Sequence, residues 1–318
     1  MGRFLARRIA GTVLVLFAVS VIVFLIFNVI PDSNPAQSMA GKNASPTLVA
    51  SIEEEWGFND SLPQQYAAMM RKVFSGDLIS YAGRENVDER IVEGIPATFS
   101  LCIGAAVIWM FFAILFGYLS ARRPGGRLDR LLTVVSVTGI SVPEFWLGAV
   151  LLNYLAYQLG IFPSGGYVPL TEDPFEWASH LILPWTTLSI LYIGLYSRVL
   201  RSNMLDALGE DYVRTARAKG LPERQVMTRH VLRNSLVPIV TLFGLDFGAL
   251  LGGAIAIEFV FSLNGIGAYT FESLTNQDLP PVIAVVLFGA FFIVLFNALV
   301  DVVYAFLDPR VKLGGSSR

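Results

Sequence analysis

Four carboxylates, Glu144, Asp246, Glu258 and Asp301, fall inside long apolar stretches of this 318-residue chain. An ionised carboxylate facing hydrocarbon costs at least about 2.5 kcal/mol, so each must face protein, water or an interface. Glu258 and Asp301 stand near the ends of their stretches, where structural pairing or interfacial water meets that need. Asp246 sits about two turns inside its stretch, with no basic residue in the same helix. It reads either as an acid that draws a cationic group into a pathway or as glue between helices. Glu144 follows Pro143, where the backbone loses a donor. Catalysis would ask for more, such as paired His or a Ser/Lys couple at one depth. The apolar stretches hold no His and essentially no Lys, since His180 lies at a boundary and His230 in a polar loop. Cys102 is the single cysteine, so no disulfide can form within the chain, and soft metal ligands are scarce. No Gly-x-x-x-x-Gly-Lys-Ser/Thr run offers a phosphate cradle, so ATP chemistry is expected in other chains. No basic run with interleaved aromatics suggests nucleic acid. The chain is therefore expected to hold no metal and no cofactor of its own.

The elements that carry these residues are long. Hydrophobic residues make up 54% of the chain and charged residues 15%, against about 25% charged in an ordinary soluble domain. Six stretches reach the roughly 20 residues that cross a bilayer: 9–30, 97–119, 131–159, 181–200, 238–261 and 282–307. The third is long enough to tilt or to break near Pro143. Pro184 is expected to kink the fourth. The first has a basic start in Arg3, Arg7 and Arg8, but it is too long for a cleaved signal and no small-x-small site follows it. Gly244, Gly248 and Gly252 form a small-residue stripe that lets another helix approach closely, within the bundle or at a seam with a second chain.

Lysine and arginine set the orientation. With six spans, all but Lys42, Arg71, Lys72, Arg84 and Arg90 of the 23 fall on one side. That side holds both termini, residues 120–130 and residues 198–236, and is read as cytoplasmic. The organisation expected is a tail and first span at 1–30 and an extracytoplasmic segment at 31–95. A five-helix core at 96–307 contains a cytoplasmic loop at 201–236, and a tail follows at 308–318. Residues 31–95 are too long for a plain connector. Short helices are expected at 47–56 and 63–74, forming either a cap over the bundle or a docking surface for an external partner.

The loop at 201–236 is basic and patterned. A helix is expected from Asp206 to Lys219, ended by Gly220 as a left-handed cap. Leu221-Pro222 opens a second helix leading to Pro238. This is either a solvated loop that obeys the charge rule or a rigid lever that docks on a cytoplasmic partner. Small Ala216 and Ala218 suit close approach by such a partner.

The run Glu210-Asp211-Tyr212-Val213-Arg214-Thr215-Ala216-Arg217-Ala218-Lys219-Gly220-Leu221 closely resembles the coupling loop of ABC importer permeases, more narrowly the oligopeptide, dipeptide and nickel family. His230 to Pro238 continues the match. The broad pattern has Glu at Arg214, Ala at Thr215 and Pro at Arg233, departures usual in the peptide branch, so no ATPase contact through that Glu carries over. Trp56-Gly57-Phe58 through Tyr66, and Gly76-Asp77, resemble the family's outer segment. Val142-Pro143-Glu144-Phe145-Trp146, Gly252-Gly253-Ala254, Glu258, Phe261, Gly265-Ile266-Gly267 and Asp308-Pro309-Arg310 resemble further motifs in the same order.

The resemblance implies an all-α membrane protein, six transmembrane helices in the type I ABC importer permease fold. It implies a homologous second permease with the pathway at the interface, and two cytoplasmic ATPases that hold Mg-ATP and grip residues Asp211 to Leu221. It also implies an extracytoplasmic substrate-binding protein, for which Trp56, Gly57 and Tyr66 are candidate docking residues. Asp246, Glu258 and Glu144 are candidate pathway residues. Dipeptides or oligopeptides are the expected cargo. Nickel and oligosaccharides are the family alternatives, and a passive channel or scaffold is the alternative from another class.

Overall fold

The computed structural model describes residues 2–29, 34–40, 44–252 and 254–307, with the backbone alone at 2–9, 38 and 300–307. Pro31, Asp32, Lys42, Gly253 and the Asp308-Pro309-Arg310 motif lie outside the described residues, as does the side chain of Asp301. The described residues are helical, with one isolated bridge, Ile79 to Asn86, and no strand. Five helices are long and apolar enough to cross a membrane, or six if one bent pair counts as a span. The chain divides into two compact units, residues 1–99 with 248–298 and residues 100–247 with 299–318.

In the first unit, α1 (Gly2–Phe24) ends in a π turn (Leu25–Val29). Three short helices follow: α2 (Pro35–Ala40), α3 (Pro46–Trp56) and α4 (Leu62–Ser75). Ser45 accepts from Leu48 N ahead of α3, Ser61 and Gln64 form a capping box ahead of α4, and Gly57 and Gly76 close the two helices in the left-handed region. Buried Ile52, Trp56, Met69 and Leu78 join Val23, Phe24 and Ile283 in one apolar cluster, so the short helices have a core of their own. Asp278 ties the segment down: its carboxylate accepts from Ser80 Oγ at 2.5 Å and Ala82 N at 3.2 Å.

In the second unit, α5 (Val87–Arg122) supplies its latter part, followed by α6 (Arg127–Ser141) and α7 (Glu144–Leu151), which runs into a π turn (Leu152–Gln158). The expected third span is thus two helices bent by 97°. Pro143 removes a donor and forces Val142 to an extended φ of −88° and ψ of 123°. By contrast, α8 (Pro174–Leu208) runs unbroken through Pro184. Helix packing here is close. Gly194 lies against the Ser136 carbonyl, where a Cβ would stand 2.6 Å away, and Gly104 lies directly under the Trp185 ring. Trp185 Nε1 donates to the Ser100 carbonyl at 2.9 Å. Asp129 at the start of α6 accepts both Nε and Nη2 of Arg201 at 2.7 and 2.8 Å, a bidentate pair with a third bond from Gly125 N.

The loop helices differ from expectation at one boundary. α8 reaches Leu208, Gly209 and extended Glu210 interrupt it, and α9 (Asp211–Ala218) starts afresh. α10 (Glu223–Gln225), a π turn (Val226–Leu232) and α11 (Arg233–Leu251) then form one helical run. The expected fifth span to residue 261 is also corrected. Helix ends at Leu251 because Gly252-Gly253 propagates it poorly. Three further helices follow: α12 (Ile255–Val260), α13 (Ile266–Thr275) and α14 (Leu279–Leu307).

Gly104→Ala should drive a methyl into the Trp185 ring and destabilise the protein by about 1–3 kcal/mol, as overpacking does. Thermal unfolding of the purified protein measures this. An unchanged midpoint would show that the indole has room to move.

Candidate coupling site

α9 is a short amphipathic helix with two distinct faces. Val213 and Ala216 are 0% and 5% exposed. They pack into a cluster with Tyr196, Leu200, Met204, Val226 and Val231. Asp211, Tyr212, Arg214, Thr215, Arg217, Ala218, Lys219 and Gly220 are exposed, and Leu221 is half-buried. Ala216 therefore does not meet a partner, contrary to the expectation of close approach there. Its small side chain lets α9 settle on its own unit. Ala218 keeps the exposed role.

The elbow after α9 is built from local bonds. Gly220 adopts φ +76°, as a left-handed cap requires, and its N donates to the Arg217 carbonyl at 2.9 Å. Arg217 grips Glu223 across the elbow through two bonds of 3.1 and 2.8 Å. Val226, Met227 and Val231 carry the same apolar cluster into the next helical run. α9 is thus joined to the run that leads into α11 by a packed core and a short, bonded turn.

Glu144 and Asp246 belong to the second unit. Asp246 is half-exposed and accepts the Tyr196 hydroxyl at 2.6 Å. Half-buried Glu144 stands in the first turn of α7, and Tyr192 lies within electrostatic reach of both acids. Trp109, Tyr192, Tyr196 and Phe243 stack beside them.

Glu258 belongs to the other unit and is fully buried. Its carboxylate accepts Thr98 Oγ1 at 2.7 Å and Ala268 N at 3.0 Å, while Thr98 Oγ1 accepts Ile266 N at 2.9 Å. A Cβ at Gly265 would run into the carboxylate, and one at Gly267 would stand 2.9 Å from the Ile255 backbone. Glu258, Thr98 and the two glycines form a bonded lock, and Glu258 also borders a cavity of about 450 Å³ lined with Phe259, Asn264, Ala268 and Glu272. Sequence reasoning missed Thr98, 160 residues distant. The spacing of Gly265 and Gly267 was the only trace of the lock.

Of the docking candidates, Trp56 is buried, whereas Gly57 and Tyr66 stay half-exposed. Trp56 is 2% exposed, and its Nε1 donates to Tyr81 Oη at 2.9 Å. Burial raises the Tyr81 phenol above its ordinary pKa, so it stays neutral and donates to Glu55 at 3.1 Å. Gly57 is the left-handed cap of α3. Tyr66 shares a 2.7 Å bond with Ser20 and packs edge-on to Phe17 and Phe24 of α1. These residues hold the segment together and to α1. Of the glycine stripe, Gly248 and Gly252 pack on α14, against Phe296 and Gly289, and Gly244 is buried. For Gly248 and Gly252 the stripe serves packing within the chain.

Long lipid-length helices with a two-faced helix on a loop between two of them are the architecture of a multi-span membrane protein. The chain matches the family described as binding-protein-dependent transport system inner membrane component over residues 113–313, and that family's N-terminal component over residues 1–102. It belongs to this family. It is 36% identical over 313 residues to a probable peptide ABC transporter permease, y4tP, of Sinorhizobium fredii, covering 98% of this chain and 100% of the relative. It is 33% identical to the oligopeptide transport system permease AppB of Bacillus subtilis, again over 98% and 100%. It is 36% identical to a probable D,D-dipeptide transport system permease, DdpB, of Escherichia coli, over 98% of each chain. The methionine ABC transporter MetNI, in an inward-facing conformation, shares the fold with a TM-score of 0.55 at 17% identity, over 69% of this chain and 96% of that one. The chain is thus a multi-span permease subunit of an inner membrane, a role that implies ATPase and substrate-binding components.

Glu258→Ala should leave Thr98 Oγ1 and Ala268 N without their acceptor, costing about 1–3 kcal/mol for each buried group. Glu258→Gln, which retains an acceptor oxygen, should cost less. Limited proteolysis at residues 262–264 reads the loosening. Equal cleavage in the wild type and the Ala variant would remove the lock from the account.

Proposed function

We propose that this chain forms half of the translocation pathway of an ATP-driven peptide importer and that the exposed face of α9 is its coupling surface. The observation that carries the reading is the division of α9: Val213 and Ala216 are fixed inward while Tyr212, Arg214 and Lys219 stand exposed. A helix used only as a connector needs no such anchored yet projecting face. The names of the relatives in Sinorhizobium, Bacillus and Escherichia support peptides as the cargo.

In this reading the partners are a homologous second permease, two cytoplasmic ATPases that carry Mg-ATP, and an extracytoplasmic binding protein. This chain performs no catalysis. Both termini and residues 201–236 face the cytoplasm, following the lysine and arginine distribution. ATP binding draws the ATPases together and moves α9. The Arg217–Glu223 pair and the shared apolar cluster pass that movement to α11. The pathway opens outward beneath the loaded binding protein and reopens inward after hydrolysis. ATP and the loaded binding protein must each favour one state for the cycle to run. Asp246, held by Tyr196, faces the pathway and attracts the amino terminus of a peptide.

Tyr212→Ala with Arg214→Glu should cut ATP-dependent peptide uptake at least tenfold in proteoliposomes without altering assembly or peptide capture by the binding protein. Uptake at the wild-type rate would reject α9 as the coupling surface. Asp246→Asn should lower uptake of peptides with a free amino terminus more than of amino-blocked peptides. Equal effects on both would remove Asp246 from cargo recognition.

A further inference from the structure

A groove of about 680 Å³ opens between the latter part of α5 and the π turn that follows α10. Its apolar wall is Phe111, Ile114, Leu115 and Leu232. Its polar end carries Tyr118, Arg122, Arg224 and Thr228. Arg122 and Arg224 are both exposed, and neither has an ion pair among the described residues. No acidic residue lines the groove.

Position along the helix narrows the occupant. Phe111 and Arg122 lie eleven residues apart on one continuous helix, which spans roughly 16 Å at 1.5 Å per residue. The groove therefore runs from the basic end of a membrane span about halfway into a hydrocarbon layer of about 30 Å. A water-soluble partner can meet the guanidinium end but does not reach the Phe111 end. A phospholipid has the matching shape: an anionic head for two arginines, a hydroxyl-bonding region for Tyr118 and Thr228, and a chain for the apolar wall. Basic pockets between helices at the cytoplasmic boundary select anionic headgroups on these grounds.

We infer that this groove is a binding site for an anionic phospholipid of the leaflet that α9 faces. The phosphate lies between Arg122 and Arg224, and one acyl chain lies along Phe111, Ile114, Leu115 and Leu232. Arg122 ends a membrane span, whereas Arg224 belongs to the run directly after the Gly220 elbow. A bound phosphate therefore ties the lever to the membrane boundary, and lipid charge tunes coupling. The leaflet assignment rests on the orientation proposed above. Lipid binding itself does not.

The test uses the full chain, purified with its partner subunits into nanodiscs of phosphatidylcholine with or without 20 mol% phosphatidylglycerol, about one lipid in five. Bound lipid is read by native mass spectrometry after detergent release. The wild type should retain phosphatidylglycerol in preference to phosphatidylcholine at least fivefold. Arg122→Ala with Arg224→Ala should abolish the preference, and Arg122→Lys with Arg224→Lys should restore part of it. Thermal unfolding identifies any variant that has lost its fold, and the wild-type preference stands as a test without it. Equal retention of the two lipids by the wild type would overturn the site, as would an undiminished preference in the folded Ala variant. Displacement of the lipid by inorganic phosphate alone would assign the arginines to a free anion. A crosslink from Thr228→Cys to a partner subunit, with no lipid retained, would make the groove a protein interface. Cysteine accessibility at α9 tests the orientation separately.

Discussion

Hydrocarbon offers no water to a broken backbone, and a chain of this kind must satisfy its polar groups from within. Besides its π turns, helix is interrupted at two places in the apolar stretches of the described residues, and bonds from neighbouring groups flank each break. At Val142-Pro143 the Val142 N still reaches the Thr138 carbonyl at 3.2 Å, and Leu147 N returns to the Pro143 carbonyl at 3.0 Å. Pro143 itself has no N–H to orphan. After Leu251 the Gly252 N reaches Ala249, and Glu258 N returns to Ala254. The second break then places Glu258 where Thr98, 160 residues away, and Ala268, 10 residues on, both donate to it. An acid that would be costly alone becomes the centre of a satisfied network.

The same economy governs the outer segment and the loop. The outer segment looks on paper like a surface for something else, yet Trp56, Tyr66 and Tyr81 are spent internally while Phe74 stands exposed. Trp56 bonds Tyr81, Tyr66 bonds Ser20, and Asp278 gathers the backbone at 80–82. A segment anchored this way holds a fixed shape at the membrane boundary. α9, by contrast, anchors only two of its side chains and leaves the remainder outside.

Much of this was legible in the residues. Stretches of twenty apolar residues can have only one use in a bilayer, so the long helices followed from length and composition. Gly220 announced its cap because capping is a local interaction, whereas the caps at Ser45, Gly57 and Ser61 emerged with the structure. The basic loop that holds the Gly elbow was readable for that local reason too. Less legible were the boundaries that depend on neighbours. Gly209 and Glu210 split an expected helix, and Gly252-Gly253 ended a span ten residues early, since weak local propensity yields to whatever packs beside it.

What the sequence determined by itself, then, is the periodic and the local: which stretches are apolar enough to span, where the Gly220 elbow falls, and which loop is basic. Tertiary structure alone decided which face of each element is consumed. Ala216 and Trp56 read as contact residues in one dimension and are interior in three. Glu258 found Thr98 across 160 residues, and Arg201 found Asp129 across 72. Arg122 and Arg224, far apart in the chain, share a groove. No sequence window contains such pairs, because side chains meet through the folding of the backbone between them, and burial is a property of all the elements at once.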